Sequence, residues 1–260
     1  MEKRLQTGLL IALTAAQYLI PASAIAQQPD SATVSLSEVV VTGSNQAVRR
    51  SLLPYTVTTV DHAALNATGT SEVLTAISGM VPSLFVTQRN ILGFGVSNGG
   101  AGHIKMRGVG GDRASAVLMM VDGQPQFAGI YSHHVADFYT KEYVDKVEVL
   151  RGPGSVLYGS NAMAGVINVI TRQTQTHGFS ASLTSQYGSY NTTQNSLTAT
   201  ARHGKLSALA SVNFDRTDGT VKNFDFSQWE GYAKISYRIN HAWKTAASVT
   251  LSNFTGNDPI

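Results

Sequence analysis

The chain contains no cysteine, few charged residues and no long apolar run. Without cysteine among its 260 residues, no disulfide framework can hold the fold. Charged residues make up 13% of the chain, which is about half of the share usual in a soluble domain. The formal net charge of +3 is small and scattered, so no nucleic-acid partner is predicted. The polar surface must come largely from Ser, Thr, Asn, Gln and Gly, which suits a β protein with one face toward lipid.

The N-terminal residues have the pattern of a cleaved export signal. Lys3 and Arg4 precede an apolar stretch over residues 8–20, and small residues follow up to Ala26. That stretch is too short and too interrupted to span a bilayer as a helix. We therefore predict a signal peptide over residues 1–26, cleaved after Ala26, with residues 22–24 as the competing cleavage site.

The segment over residues 147–171 is the most informative part of the chain. Two β-branched apolar runs, at 147–150 and 166–170, predict two strands. Four glycines lie between them and predict tight turns: Gly152, Gly154, Gly159 and Gly165. Part of this segment has phosphate-loop spacing, but Ser160 stands where the phosphate-binding lysine is needed. Neither nucleotide binding nor any cofactor is predicted.

This segment resembles the end of the plug domain in TonB-dependent outer-membrane receptors. Residues 56–86 and 104–126 also resemble plug sequences, and the three segments occur in the family's order. The resemblance implies an α+β plug domain over residues 50–172, a small mixed sheet with short helices. The pattern predicts a helix over 71–78, capped by Thr70 or Ser71, and the following strands: 55–60, 104–107, 116–121 and 144–150.

From Phe179 onward the hydrophobic pattern has a period of two. Five segments alternate apolar and polar residues, as expected for antiparallel transmembrane β-barrel strands with apolar residues outside and polar residues inside. We predict these strands within residues 177–260. Short turns near 203–204 and 240–241 are expected on the periplasmic side, and a long connection over 215–227 outside the cell. Five strands leave unpaired edges in lipid, so we expect an incomplete barrel and an incomplete chain.

A β-prone peptide interrupts the polar leader that we predict over residues 27–49. It resembles the TonB box, the periplasmic peptide that the TonB energy-coupling protein grips in this family, and its residues are Glu38, Val39, Val40, Val41 and Thr42. An extended segment of this kind can add a strand to the sheet edge of a partner. The alternative interpretation is an ordinary first strand of the plug.

Three charged residues lie in or beside predicted plug strands, where an isolated charge is costly unless paired. They are Arg107, Glu148 and Arg151. The resemblance implies that plug arginines pair with acidic residues of the barrel wall. The alternatives are local surface pairs, including one between Glu148 and Arg151.

Two loop regions are candidates for contact with substrate, because in the family the corresponding loops lie at the outer apex of the plug. Their candidate residues are Asn90, Phe94, Asn98, Gln126, Phe127, Tyr131, His133 and His134. Adjacent histidines in an extended segment point in opposite directions, so His133 and His134 do not predict a metal site.

The resemblance implies a receptor in the outer membrane of a Gram-negative bacterium that performs no bond chemistry. The expected activity is energised uptake of a scarce nutrient, a ferric siderophore, with the TonB protein and outer-membrane lipid as partners. Cobalamin, haem or another metal complex are alternative substrates. A passive porin or adhesin is an alternative from another class, as is a secreted hydrolase using Ser97 in the string Gly95-Val-Ser-Asn-Gly99.

Overall fold

A computed structural model gives the structure of the chain. It describes residues 39–40, 42, 48–49, 55–88, 90–93, 103–111, 116–126, 138–174, 176–240 and 242–257. All of them belong to one compact unit, residues 37–260. The predicted signal peptide lies outside the described residues and stays a prediction. No helix in the described part of the chain has the length and apolar content needed to cross a bilayer.

The described residues of the N-terminal half form ten short strands and three short helices. The strands are β1 (Val39–Val40), β2 (Val48–Arg49), β3 (Val57–Asp61), β4 (Leu84–Val86), β5 (Ile104–Met106), β6 (Val109–Gly111), β7 (Val117–Val121), β8 (Gln124–Pro125), β9 (Val144–Arg151) and β10 (Gly165–Thr171). The helices are α1 (His62–Asn66), α2 (Val73–Ser78) and α3 (Ser155–Tyr158), and 3-10 turns cover Lys141–Tyr143 and Ser160–Ala162.

The main plug sheet has the strand order β3-β9-β10-β7-β8. Strands β10 and β7 are parallel, while the other neighbours are antiparallel. Strand β7 is apolar throughout, with Val117 to Met120 all buried, because both faces of a central parallel strand are covered. Strands β4, β5 and β6 form a separate antiparallel sheet, and both sheets contribute to one apolar cluster.

The helix that the sequence predicts over 71–78 is shorter and has a different N-cap. Helix α2 begins after Glu72, whose side chain makes no capping bond. Thr70 Oγ1 instead accepts the Glu72 N–H at 3.2 Å, and Ser71 Oγ donates to Asp215 at 2.7 Å. The predicted cap by Thr70 or Ser71 is therefore wrong. The Thr70 hydroxyl bonds the N–H of Glu72, which precedes the helix, and the Ser71 hydroxyl is used in a long-range contact. Helix α1, which the pattern did not predict, is capped by Asp61.

The C-terminal half is a single antiparallel sheet of long strands in sequence order. Its strands are β11 (Gly178–Gly188), β12 (Thr192–His203), β13 (Leu206–Thr217), β14 (Phe226–Arg238) and β15 (Lys244–Gly256). The connection between β13 and β14 covers residues 218–225, while β12 and β13 are joined by Gly204 and Lys205 alone. The predicted five strands are confirmed, with the long connection shorter than expected because both flanking strands extend into it.

The two faces of this long sheet have opposite polarity. The face toward the plug is polar and buried, with Ser211, Asn213 and Asp215 at alternate positions of β13. The opposite face is apolar and exposed, as at Val212 and Phe214. A soluble sheet buries its apolar face, so this inverted arrangement fits strands whose outer face meets lipid. The predicted fold class, an α+β plug followed by antiparallel strands, is confirmed.

Candidate functional site

The peptide predicted to be the TonB box lies partly within the described residues. Val39 pairs with Arg49 and Val40 with Val48 in a two-stranded antiparallel ribbon. Glu38 and Val41, and the side chains of Val39 and Val40, lie outside the described part. Thr42 is described and is fully buried, so the end of this peptide is packed against the plug.

Two central strands of the plug sheet hold Thr42. The Thr42 backbone N–H donates to Glu148 Oε2 at 2.7 Å, and Asn168 Nδ2 donates to Thr42 Oγ1 at 3.1 Å. Glu148 in β9 lies directly opposite Asn168 in β10, so both side chains leave the same face of the sheet. Glu148 also forms an ion pair with Lys146 at 2.7 Å. We call Glu148 and Asn168 the Thr42 clamp.

Asn168 also contacts the turn between β7 and β8. Its Oδ1 accepts the Gly123 N–H at 3.0 Å. Asp122 and Gly123 have φ values of 50° and 79° and form the whole loop of a hairpin closed by the pair Val121 and Gln124. An Asp-Gly pair suits this turn, because both of its central residues need positive φ. The turn fixes where the Asp122 carboxylate points.

Asp122 connects the plug to the long sheet. Its carboxylate accepts the Thr171 N–H at 3.0 Å and the Thr171 hydroxyl at 2.8 Å. Lys234 Nζ in β14 reaches Asp122 Oδ2 at 2.6 Å and Thr171 Oγ1 at 2.9 Å. Lys234 is only 7% exposed and Asp122 21%, so solvent screens this ion pair weakly. A continuous series of contacts thus leads from the wall at Lys234 to Thr42.

The sequence did not predict this ion pair. It predicted plug–barrel pairs for Arg107, Glu148 and Arg151 instead. Glu148 pairs with Lys146 on its own strand, which is the local alternative rather than a pair with Arg151. Arg107 is exposed and Arg151 half-buried, and neither forms an ion pair within the described ranges. Pairing of these residues with the barrel wall stays a prediction.

A second polar contact joins the plug to β13. Ser71 Oγ and Asn213 Nδ2 each donate to Asp215 Oδ2 at 2.7 Å. Asp215 is 2% exposed. Nearby, Gln194 Nε2 of β12 donates to the Gly69 carbonyl at 3.0 Å. These bonds satisfy polar groups that would otherwise be costly to bury.

A buried lysine lies beside this second contact. Lys141 Nζ donates to the Thr68 carbonyl at 3.1 Å. Burial lowers the pKa of Lys141, because a poorly hydrated ammonium is disfavoured, and the nearby Glu142 and Asp215 carboxylates partly oppose that shift.

An aromatic stack adds an apolar contact between the plug and the wall. The rings of Tyr143 and Tyr232 lie 4.2 Å apart and are nearly parallel, at 11°. Tyr143 donates its hydroxyl to the Phe138 carbonyl at 3.0 Å. Burial raises the pKa of Tyr143 well above its usual value, with a further contribution from Glu230, so this tyrosine stays neutral. Buried aromatic pairs of this kind contribute about 0.5–1.5 kcal/mol beyond the area they bury.

Only two of the predicted substrate-contacting residues lie among the described ones. The Asn90 side-chain amide donates to the Phe224 carbonyl in the connection between β13 and β14. Gln126 Nε2 donates to the Gln124 carbonyl at 3.0 Å. The other candidates lie outside the described residues: Phe94, Asn98, Phe127, Tyr131, His133 and His134, with the Gly95–Gly99 string and Ser97. Substrate contact at these loops stays a prediction.

The arrangement defines a class of protein: a small mixed-sheet plug seated by polar contacts on the inner face of outer-membrane strands. Residues 49–166 match the family model described as TonB-dependent Receptor Plug Domain. The chain therefore contains a TonB-dependent receptor plug domain, followed by strands that match part of the barrel in structures of this family. Members of this family are receptors and transporters of the outer membrane in Gram-negative bacteria, and they are not enzymes.

Similar proteins agree with this assignment. The vitamin B12 transporter BtuB of Vibrio vulnificus (strain CMCP6) is 31% identical over 179 residues, which cover 64% of this chain and 29% of the transporter. The Pseudomonas aeruginosa FpvA structure with bound heterologous pyoverdines matches with a TM-score of 0.66 at 16% identity, over 82% of this chain and 27% of FpvA. The ferric yersiniabactin uptake receptor FyuA from Yersinia pestis gives 0.57 at 20% identity, over 76% and 32%. The chain therefore spans less than a third of the length of each.

Proposed function

We propose that this chain is the N-terminal part of an energised importer that takes up a ferric siderophore. In this function, substrate binds at the outer end of the plug, and a periplasmic TonB protein pulls on residues 38–42. Plug rearrangement under that pull then opens a path through the barrel.

The Thr42 clamp is the observation that carries this proposal. An importer of this kind needs its coupling peptide held against the plug at rest and able to leave it under load. Thr42 is buried, yet two hydrogen bonds from side chains hold it. Such bonds contribute about 0.5–3 kcal/mol each, which a pulling partner can overcome. The contacts from Asn168 through Asp122 to Lys234 offer a route from plug rearrangement to peptide release.

Deleting residues 38–42 in the protein expressed from its native locus tests the coupling. We expect uptake of radiolabelled ferric siderophore to be lost, because the partner has nothing to grip, while binding of the siderophore to whole cells is unchanged. A matched control deletes residues 29–33 of the predicted leader and should preserve both. Uptake that survives the deletion of 38–42 would refute the coupling.

The passive porin alternative makes the opposite prediction in the same assay. A porin would show uptake that is insensitive both to the deletion and to collapse of the proton gradient. It would also leak small solutes when reconstituted in liposomes. An energised importer with a seated plug should do neither.

Cobalamin is the second candidate substrate. The relative that is 31% identical is named a vitamin B12 transporter, whereas FpvA and FyuA, named for pyoverdine and ferric yersiniabactin, resemble the chain at 16% and 20% identity. Uptake of labelled cyanocobalamin, measured beside ferric siderophores in the same cells, separates the two. Transport of cyanocobalamin alone would replace the siderophore as substrate and leave the coupling through residues 38–42 unaffected.

A further inference from the structure

A buried carboxylate joins two parts of the plug that are distant in sequence. Glu72 is 2% exposed. Its Oε1 accepts the Gly93 N–H at 2.8 Å, and its Oε2 accepts the Thr75 hydroxyl of helix α2 at 2.9 Å. Because a carboxylate removed from water needs hydrogen-bond donors, displacement of Gly93 would deprive Glu72 of one donor. The positions of these two residues are therefore energetically linked.

The segment over residues 90–93 is fixed to the connection between β13 and β14. The side-chain amide of Asn90 donates to the Phe224 carbonyl in that connection. At the other end of the segment, a Cβ on Gly93 would lie 2.6 Å from the ring of Phe226, so its backbone lies directly against the first residue of β14. A shift of the connection would therefore displace Gly93.

The backbone around Glu72 is paired with the chain that leads into β9. Glu72 and Thr140 form an antiparallel bridge. A backbone hydrogen bond of 2.8 Å lies on each side of it, one from the Val73 N–H to the Tyr139 carbonyl and one from the Lys141 N–H to the Ser71 carbonyl. The 3-10 turn Lys141–Tyr143 follows, and β9 begins at Val144. Movement of Glu72 is thus transmitted to the start of β9.

Strand β9 carries Glu148, one of the two residues of the Thr42 clamp. Glu148 Oε2 accepts the Thr42 N–H at 2.7 Å. Pairing with β3 on one side and β10 on the other makes β9 a rigid element, and rigid elements carry coupling between distant sites. A change at its first residue therefore alters the position of Glu148 relative to Thr42.

We infer that Glu72 couples the connection between β13 and β14 to the Thr42 clamp. Displacement of the connection withdraws Gly93 from Glu72, and the paired backbone passes the shift to Glu148, whose bond to Thr42 then loosens. Glu72 is thus a positioning residue for the coupling peptide. The importance of this coupling for uptake rests on the proposed function, in which release of the peptide from the plug precedes transport.

Maleimide labelling of a Val40→Cys reporter, in the protein expressed from its native locus, measures how often the peptide leaves the plug. Gly219→Ala displaces the connection, because a Cβ there would lie 2.8 Å from Asn90 Nδ2. We expect this variant to label at least about fivefold faster, the low end of usual couplings between sites. Gly204→Ala is the matched control: its φ of 57° is also positive, but its Cβ would meet nothing within 4 Å, and its rate should equal that of the parent protein.

Substitutions of Glu72 test its place in the coupling. Glu72→Ala removes the acceptor and Glu72→Asp shortens its reach, so in either background Gly219→Ala should change the labelling rate by less than about twofold. Glu72→Gln keeps an acceptor oxygen at the same reach and should preserve the full response. A merely structural role would instead let the effects of the two substitutions multiply in every background.

Three results would overturn the inference: an unchanged rate in Gly219→Ala, a full response in the Glu72→Ala or Glu72→Asp background, or an equal increase in Gly204→Ala. Circular dichroism shows whether each variant is folded. Asn90→Ala removes the same contact from the plug side and replaces Gly219→Ala if that variant does not fold, and either Glu72→Ala or Glu72→Asp alone is sufficient. Labelling requires neither substrate nor a proton gradient, so its outcome is independent of the uptake assays.

Discussion

Asn168 shows how much one side chain can connect in this plug. Its amide nitrogen donates to Thr42 and its amide oxygen accepts from the turn that carries Asp122. Asn168 is 1% exposed, so water cannot replace either bond without an opening of the structure. A residue with both a donor and an acceptor is needed at this position, which explains a polar side chain in the middle of a mostly apolar strand.

Asn168→Ala should loosen the coupling peptide without unfolding the plug. Losing a hydrogen bond worth about 1 kcal/mol raises the open fraction of the peptide about fivefold. Because the chain has no cysteine, a single Val40→Cys reporter can be labelled with a maleimide without background, and its labelling rate measures that fraction. Asn66→Ala, on an exposed helical position, is the control. An unchanged labelling rate in Asn168→Ala would show that the clamp does not hold the peptide.

At the scale of elements, the packing of β10 depends on a glycine at its first position. A Cβ on Gly165 would lie 2.5 Å from the Leu150 carbonyl oxygen and 2.5 Å from the Met106 sulfur. The backbone of β10 thus approaches both β9 and the β4-β5-β6 sheet too closely for any side chain. This glycine is required by space rather than by its backbone conformation.

Gly165→Ala should therefore destabilise the protein by about 1–3 kcal/mol, the usual cost of forcing extra atoms into a packed core. Thermal unfolding followed by circular dichroism measures the change. Gly69→Ala is the control, because a Cβ there meets nothing within 4 Å. Equal unfolding temperatures for the two variants would contradict the close packing of β10.

The longer elements could be predicted from the sequence, but several of the shortest ones could not. Strands β9 and β10 have β-branched runs, and β11 to β15 have sustained alternation, which are strong signals. Helix α1 and strands β4 and β6 contain five, three and three residues, too few for a period to be recognised. The pair of Asp122 and Lys234 was missed because 112 residues separate its members. One sequence signal could have indicated this pair: Lys234 occupies an inward position of β14, where a lysine needs an acidic partner.

At the scale of the whole molecule, separate polar contacts seat the plug on the wall. One is the ion pair of Asp122 with Lys234, and the other joins Ser71 and Asn213 to Asp215. The two groups share no residue. Plug seating is therefore distributed, and no single substitution should release the plug.

Lys234→Met and Asp215→Ala should weaken plug seating independently. Each should cost about 1–3 kcal/mol, since each leaves buried or partly buried polar partners unsatisfied. The double variant should lose the sum to within about 0.5 kcal/mol. Urea-induced exposure of a Leu209→Cys reporter, at a position 4% exposed in the apolar cluster, measures the loss, with Lys222→Met as control. A coupling above about 1 kcal/mol would mean that the two contacts form one network.

The position of the Thr42 clamp determines what a tensile load breaks first. Glu148 and Asn168 belong to neighbouring inner strands, each paired on both sides, and the β9–β10 ladder between them joins seven residue pairs. Among the described residues, two hydrogen bonds attach Thr42. Under tension, the hydrogen bonds of the clamp are therefore expected to break first, while the sheet behind them stays intact. A pull on the peptide releases it from the plug first. Force reaches the rest of the plug only after the released chain has been drawn out to its full length.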